Sequence, residues 1–404
     1  MIIERKEIGD LKEINKWVLI YGRRKTGKTF LVKNFLDYDE FFFVKRDRTI
    51  ISERDVKQIT YETFISLLER ALSEDKTVVV DEFHRLGDEF IDFLQYTGKK
   101  GKLILISSTL NMSKRLFESR SPVLGFFAEF PVGLISLQDT LKALTGVGLN
   151  NRELLELGIL LREPIAVDYL GKGKSARKIM ASILMSSIKT IPALTGEIFT
   201  EEGRELSAVY EGILRAVANR KHVSTEISSY LFSRKLIKKD DPSLIQPYLG
   251  NLRGFGLIRR IRVYGRNKFI YKHVSPLAAI FYYADEKYNI SERRLNEKEI
   301  ERVVGELMPR IVEDNIRELL SEKHALEESI FEAKDFDVDA CLLKFNKPEI
   351  VVEIKWGEKI KERDLGKIRE TLGKLDARRF MLFVPYKDRV KARDLEVIDI
   401  SDLL

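Results

Sequence analysis

Residues 17–36 read Trp17-Val18-Leu19-Ile20-Tyr21, then Gly22-Arg23-Arg24-Lys25-Thr26-Gly27-Lys28-Thr29, then Phe30-Leu31-Val32-Lys33-Asn34-Phe35-Leu36. The first five form a short apolar run rich in strand formers. The last seven carry helical spacing, with Phe30, Leu31, Phe35 and Leu36 toward one side. Between them stands G-x-x-x-x-G-K-[ST], in the strand-to-helix setting that a phosphate-binding loop requires. Its glycines let backbone N–H groups wrap phosphates, and the helix N-terminus adds positive potential. Gly22, Arg23, Arg24, Lys25, Thr26, Gly27, Lys28 and Thr29 are therefore the expected ATP-binding residues. Lys28 would reach the β- and γ-phosphates and Thr29 would ligate Mg²⁺.

Two further strands extend this reading. Thr77-Val78-Val79-Val80 is a buried-strand run that ends in Asp81-Glu82. An aspartate there can hold Mg²⁺, and Glu82 can polarise the attacking water as the catalytic carboxylate. Asp81 could also serve as a helix N-cap. Leu103-Ile104-Leu105-Ile106 ends in Ser107-Ser108-Thr109, where Ser108 is placed to sense a γ-phosphate.

The runs YGRRKTGKTFLVKNF, VVVDEFHRL and LILISSTLNMSKRLF resemble the archaeal ATPase family, AAA-like P-loop NTPases of the STAND class. That resemblance covers roughly residues 1–165. It implies fusion to a winged helix and a C-terminal nuclease-like domain. The family usually shows S-P-L-Y-G-R after the third strand, whereas this chain has Ser121-Pro122-Val123-Leu124-Gly125-Phe126. The arginine is missing. AAA-like ATPases often complete their sites with a neighbour's arginine, so a homo-oligomer is one expectation.

Residues 136–203 alternate helical patches with Gly and Pro breaks and read as a helical connector. Residues 205–219, Ser224–Leu231 and the stretch from Pro242 follow helical periods, and RRIRVYGRNKFIYKH alternates around Gly265 like a hairpin. Three helices and a hairpin make a winged-helix pattern over 204–288. Between Arg234 and Lys272 stand 11 Lys/Arg and two Asp/Glu, a local net of +9 against +7 for the whole chain. Such a concentration is the footprint expected for nucleic acid, here double-stranded DNA, with Arg259, Arg260, Arg262, Arg266 and Lys268 as phosphate contacts. Winged helices also dock proteins, and that alternative stays open.

From residue 289 the pattern changes again. Residues 292–323 read as helix with an interruption at Pro309. Phe336–Leu343 and Ile350–Trp356 read as strands, Glu362–Leu375 as a helix, and RRFMLFV as a further strand. Alternation puts Glu353 and Lys355 on one strand face, and a hairpin brings Asp339 toward them. Two carboxylates beside a lysine suit Mg²⁺ or Mn²⁺, which would generate hydroxide for phosphodiester cleavage. The spacing D-x13-E-I-K is similar to the PD-(D/E)XK nuclease motif. That resemblance makes Asp339 and Glu353 metal ligands, Lys355 a catalytic partner and Glu313 the helix-borne carboxylate. Glu306 is the runner-up to Glu313, and Asp337 an alternative to Asp339. The same fold could also be catalytically silent.

The expected architecture is α/β and multidomain. A P-loop NTPase with a parallel sheet (1–135) leads through the connector and winged helix to a restriction-endonuclease-like domain (289–404). Composition fits that picture. One cysteine rules out an intrachain disulfide, and four histidines argue against a Cys/His zinc site. The N-terminus MIIERKEIGDLKE lacks the apolar core of a signal peptide, and no apolar run reaches the ~18–20 residues of a membrane span. A cytoplasmic protein without membrane contact is expected. Four glutamines among abundant Lys, Arg and Glu resemble a hyperthermophile's usage.

Overall fold

The computed structural model describes residues 1–404 apart from 55, 110–115, 120, 171–174, 187, 202–206, 294, 358–359, 361 and 393–394. The LNMSKR part of the third quoted run and the boundary expected at 203/204 lie outside the described residues.

Seven strands make the first sheet: β1 (Trp17–Tyr21), β2 (Glu40–Val44), β3 (Ile50–Ser52), β4 (Lys57–Ile59), β5 (Thr77–Asp81), β6 (Lys102–Ser107) and β7 (Phe127–Pro131). Their spatial order is β4-β3-β2-β5-β6-β1-β7. The five strands from β2 to β7 are parallel, and β3 and β4 add an antiparallel edge. The apolar runs are continuous because both faces are covered. Val18, Ile20, Val79, Ile104 and Ile106 pack on one side with Leu31 and Val32 of the helix Lys28–Phe35. Leu19, Val78, Val80, Leu103 and Leu105 pack on the other with Phe64, Leu68 and Phe90. Because β1, β5 and β6 run parallel, their C-terminal ends lie at one edge of the sheet. Ligands of such sheets bind outside the strands' carboxyl ends, where strand order reverses.

Four connector helices follow: Leu137–Leu144, Asn151–Leu161, Ala176–Ser186 and Thr190–Glu201. Next come Ala208–Ala218, Ser224–Ser233 and Gln246–Gly254, then the hairpin β8 (Ile258–Val263) and β9 (Lys268–His273), and the helix Pro276–Tyr288. A long helix, Glu297–His324, leads into β10 (Ser329–Glu332), β11 (Asp337–Val338), β12 (Ala340–Lys344) and β13 (Lys347–Ile354). The helix Glu362–Leu372 then crosses to β14 (Arg379–Phe383) and β15 (Glu396–Ile398).

Two expectations need correction. The helix does not break at Pro309. A proline inside a helix removes one amide donor, yet Val304, Met308, Val312, Ile316 and Leu320 are all buried along this one. Packing against Ala176–Ser186 and Pro276–Tyr288 carries the helix through the defect. The strand expected at 336–343 is also two strands. β11 pairs with β10 and β12 pairs with β13, so the chain changes sheets at Asp339.

The remaining sheets have the orders β11-β10-β8-β9 and β12-β13-β14-β15. The first joins the hairpin to the C-terminal strands, because β8 lies parallel to β10. One continuous core runs from the connector through the three helices and the long helix to Leu342, Val352 and Phe383. No single helix among the described residues is long and apolar enough to cross a membrane.

Candidate nucleotide site and carboxylate cluster

The loop after β1 closes on itself. Gly22 has φ +150°, and a Cβ there would stand 2.1 Å from the Val132 carbonyl oxygen, so only glycine fits. Gly27, at φ +86°, caps the helix that begins at Lys28. Lys28 is 6% exposed, and its ammonium donates to the carbonyls of Gly22 at 2.8 Å and Arg23 at 2.9 Å. Thr26 Oγ1 donates to the Arg23 carbonyl at 2.8 Å. Arg5 braces the loop from outside, donating to the carbonyls of Thr26 and Gly133.

Thr29 Oγ1 donates to Asp81 Oδ2 at 2.7 Å, joining the helix start to the end of β5. Asp81 is 1% exposed, and its Oδ1 is buried without a hydrogen-bond partner. Burial pushes its carboxyl up to about 6, although the Thr29 hydroxyl pulls the other way. An orphaned buried carboxylate oxygen beside a threonine hydroxyl is an oxygen-donor set that fits Mg²⁺. Glu82 adopts φ +57°, a left-handed conformation that costs energy for a residue with a Cβ. The turn directs its carboxylate toward Ser108, whose Oγ donates to Oε2 at 2.9 Å. His84 Nδ1 and Arg85 Nη2 stand 3.4 and 3.5 Å from the same oxygen. The structure thus ties Ser108 to Glu82.

Some neighbours of the loop carry no motif. Arg23 pairs with buried Glu163 at 3.2 Å, and Arg24 with Glu197 at 3.2 Å. Glu197 also pairs with Arg46. Beside Gly27 opens an apolar cavity of about 380 Å³, lined by Ile2, Ile3, Phe30, Leu31, Pro164 and Val167. Neither Glu163 nor the cavity follows from spacing in the sequence, because each is built from segments more than a hundred residues apart. LREPIAVDYL, read only as connector, supplies both Glu163 and one cavity wall.

At the other end Asp339, at the sheet change, accepts from the Ile354 amide at 2.8 Å through Oδ2. Glu353 pairs with Lys355. Burial raises the Asp339, Glu353 and Glu313 carboxyls above their ordinary range, and the Asp339 charge adds to the rise at Glu353 and Glu313. Burial lowers the Lys355 ammonium, but Glu353 outweighs it and the balance is upward. The four expected residues are therefore electrostatic neighbours. Glu306 is elsewhere, holding Tyr283, Tyr288 and Lys287, and Asp337 is exposed on β11. Among the described residues no group of three or more His, Cys, Asp or Glu side chains converges closely enough to hold a metal ion.

The basic hairpin is largely paired within the chain. Arg259 meets Glu328 at 2.5 Å and Glu318 at 3.5 Å, and Lys268 meets Glu332 at 2.7 Å. Arg262 donates to Asn346 at 2.5 Å and stands 3.5 Å from Glu327, while Lys272 stands 3.4 Å from Asp314. Arg260 lies over the Phe269 ring at 4.0 Å, and Arg266 is exposed at the turn.

No curated protein matches the chain. Among solved structures it is similar to the Aeropyrum pernix ORC2 protein in its ADPNP–ADP complexes, at 13% identity and TM-score 0.37, covering 75% of this chain and 89% of that one. The Aeropyrum pernix ORC1 protein in complex with DNA gives 13% identity and TM-score 0.33, covering 71% and 94%. Cdc6p from Pyrobaculum aerophilum gives 13% and 0.24, covering 74% and 91%. Residues 14–133 match the family described as an AAA domain, which makes this segment a nucleotide-binding P-loop module of AAA type.

Proposed function

We propose that the protein is an ATP- and Mg²⁺-dependent ATPase that binds double-stranded DNA through a winged helix formed by residues 208–288. The observation that carries the nucleotide half is the pairing of Thr29 with Asp81, whose second oxygen is buried and unpartnered beside Lys28's loop. Lys28 would leave the Gly22 and Arg23 carbonyls for the β- and γ-phosphates. Thr29 and Asp81 would hold Mg²⁺. Bound there, the ion neutralises charge on the phosphate oxygens. Glu82, oriented by Ser108, would align water for attack. The cavity beside Gly27 has the size and apolar lining suited to a nucleoside. Lys28→Ala tests this: ATP binding, followed by calorimetry, should be lost while the fold by circular dichroism is kept. Unchanged binding would remove the assignment.

The DNA half rests on the local net charge of +9 between Arg234 and Lys272. Arg260 and Arg266 remain outward, whereas Arg259, Arg262 and Lys268 would have to exchange their internal partners for phosphates.

A second reading is Mg²⁺- or Mn²⁺-dependent phosphodiester cleavage by a nuclease-like C-terminal domain at Asp339, Glu353, Lys355 and Glu313. The raised carboxyls favour it: burial first, and the Asp339 charge second, disfavour ionisation there, a cost that a bound divalent cation would relieve. Nicking of a DNA panel with Mn²⁺ should be absent in EDTA and lost in Glu353→Ala. Equal nicking by that variant would place the chemistry elsewhere.

A further inference from the structure

The hairpin joining β12 to β13 ends in Lys344-Phe345-Asn346-Lys347, and all four residues are exposed. Each of three local choices there is unfavourable. Phe345 is 91% exposed, the most exposed of the large apolar residues among those described. Both central residues have positive φ, 50° at Phe345 and 64° at Asn346. A two-residue turn of this kind favours Asn-Gly, and a bulky ring is an outlier in the left-handed region. Lys344 and Lys347 lie directly opposite in the antiparallel register, where like charges repel. Nothing among the described residues compensates. Phe345 contributes to no core, and the only side-chain bond at the tip among the described residues is Asn346 accepting from Arg262 of β8 at 2.5 Å. That bond fixes the tip beside the basic hairpin. Glu327, 3.5 Å from Arg262, is the nearest carboxylate in that contact.

Local rules are broken together where a site needs them broken. An outward aromatic ring flanked by two lysines matches one partner chemistry, a polyanion with π-faces. We propose that this tip is a DNA wedge. Phe345 stacks on a base at an opened step of bound DNA, and Lys344 and Lys347 pair with the flanking phosphates. Before DNA binds, the Arg262–Asn346 bond holds the wedge beside the β8–β9 hairpin, so both elements can meet one duplex. The inference rests on the DNA half of the proposed function and adds the C-terminal unit to the contact surface. Stacking on aromatic side chains is worth ~1–3 kcal/mol per base, so loss of the ring should weaken binding about 5- to 150-fold. Each lysine–phosphate contact adds about 0.9 to the salt slope of duplex binding.

The test uses the full chain, a labelled duplex carrying 2-aminopurine, and a salt series. The wild type is compared with Phe345→Ala, Phe345→Trp and a Lys344→Gln/Lys347→Gln double variant. Expected are an affinity loss in the alanine variant with an unchanged salt slope, retention in the tryptophan variant, and a slope reduced by about 2 in the double variant. The 2-aminopurine signal should rise with wild type and not with Phe345→Ala. Phe345→Gly, which relaxes the turn, should melt no lower than wild type and bind like the alanine variant. A wild type that binds DNA while Phe345→Ala binds equally overturns the wedge and leaves the proposed function standing. A wild type that binds no duplex overturns both, and ATP binding to the same sample then shows the loss is confined to DNA.

Discussion

Asp81 carries an electrostatic cost at the nucleotide site. Its carboxyl rises from 3.8 to about 6 because burial disfavours the charge. The folded state therefore holds this proton more tightly than the unfolded chain does. The stabilising contribution is full below about pH 4 and is lost as pH climbs through 6. Asn at this position imitates the protonated form and can still accept from Thr29. In EDTA, Asp81→Asn should be more stable than wild type at pH 8, by up to about 3 kcal/mol for a shift of this size, and nearly equal at pH 4. Urea melts at the two pH values decide it. Equal melts at pH 8 would mean the carboxylate is not strained when metal-free. Added Mg²⁺ and ATP should reverse the order, because only the wild type gains ligand stabilisation. The strand–loop–helix around Lys28 and the strand ending at Asp81 were legible from the sequence, since each is a local pattern. The strained turn at Glu82 was not, because nothing in VVVDEFHRL distinguishes a left-handed glutamate from an extended one.

At the scale of elements, periodicity located β1, β5, β6 and the hairpin well, because strands buried on both faces leave unbroken apolar runs. It failed where partners lie far along the chain. The alternation through FDVDACLL is real, but it runs across a change of sheet, and the corner falls on Asp339. Charge density in RRIRVYGRNKFIYKH reads as a set of phosphate contacts. Instead β8 is flanked by β10, and Arg259 and Lys268 face Glu328 and Glu332. Glu328 also pairs with Arg317, whose side chain is 3% exposed, so this carboxylate neutralises a charge that burial alone would make costly. Glu328, just before β10, and Glu332 within it are thus internal counter-ions for the basic hairpin. Composition could count both sets of charges but could not show that they meet.

Across the whole molecule, the two candidate sites are joined through one dipeptide. Glu163 takes Arg23 of the phosphate loop on one oxygen and Ser275 on the other, and Ser275 caps the helix that follows the hairpin. Its neighbour Arg162 grips Glu318 and Asn315 of the long helix. One residue along, Arg317 donates to the Asp339 carbonyl at 3.0 Å. In the proposed site incoming phosphates would compete with Glu163 for Arg23, so nucleotide binding should loosen the contact that ties the loop to Ser275. Coupling of this kind is reciprocal: the factor by which ATP changes DNA affinity equals the factor by which DNA changes ATP affinity. In Glu163→Gln the competitor loses its charge. ATP should then bind more tightly, while both coupling factors fall toward one. Titrating each ligand with and without the other gives four constants for wild type and four for the variant, and checks the equality within the same data. Tighter ATP binding with undiminished coupling would show that Glu163 only restrains the loop and that the signal travels by another route. Weaker ATP binding would show instead that Glu163 holds Arg23 in the geometry the phosphates need.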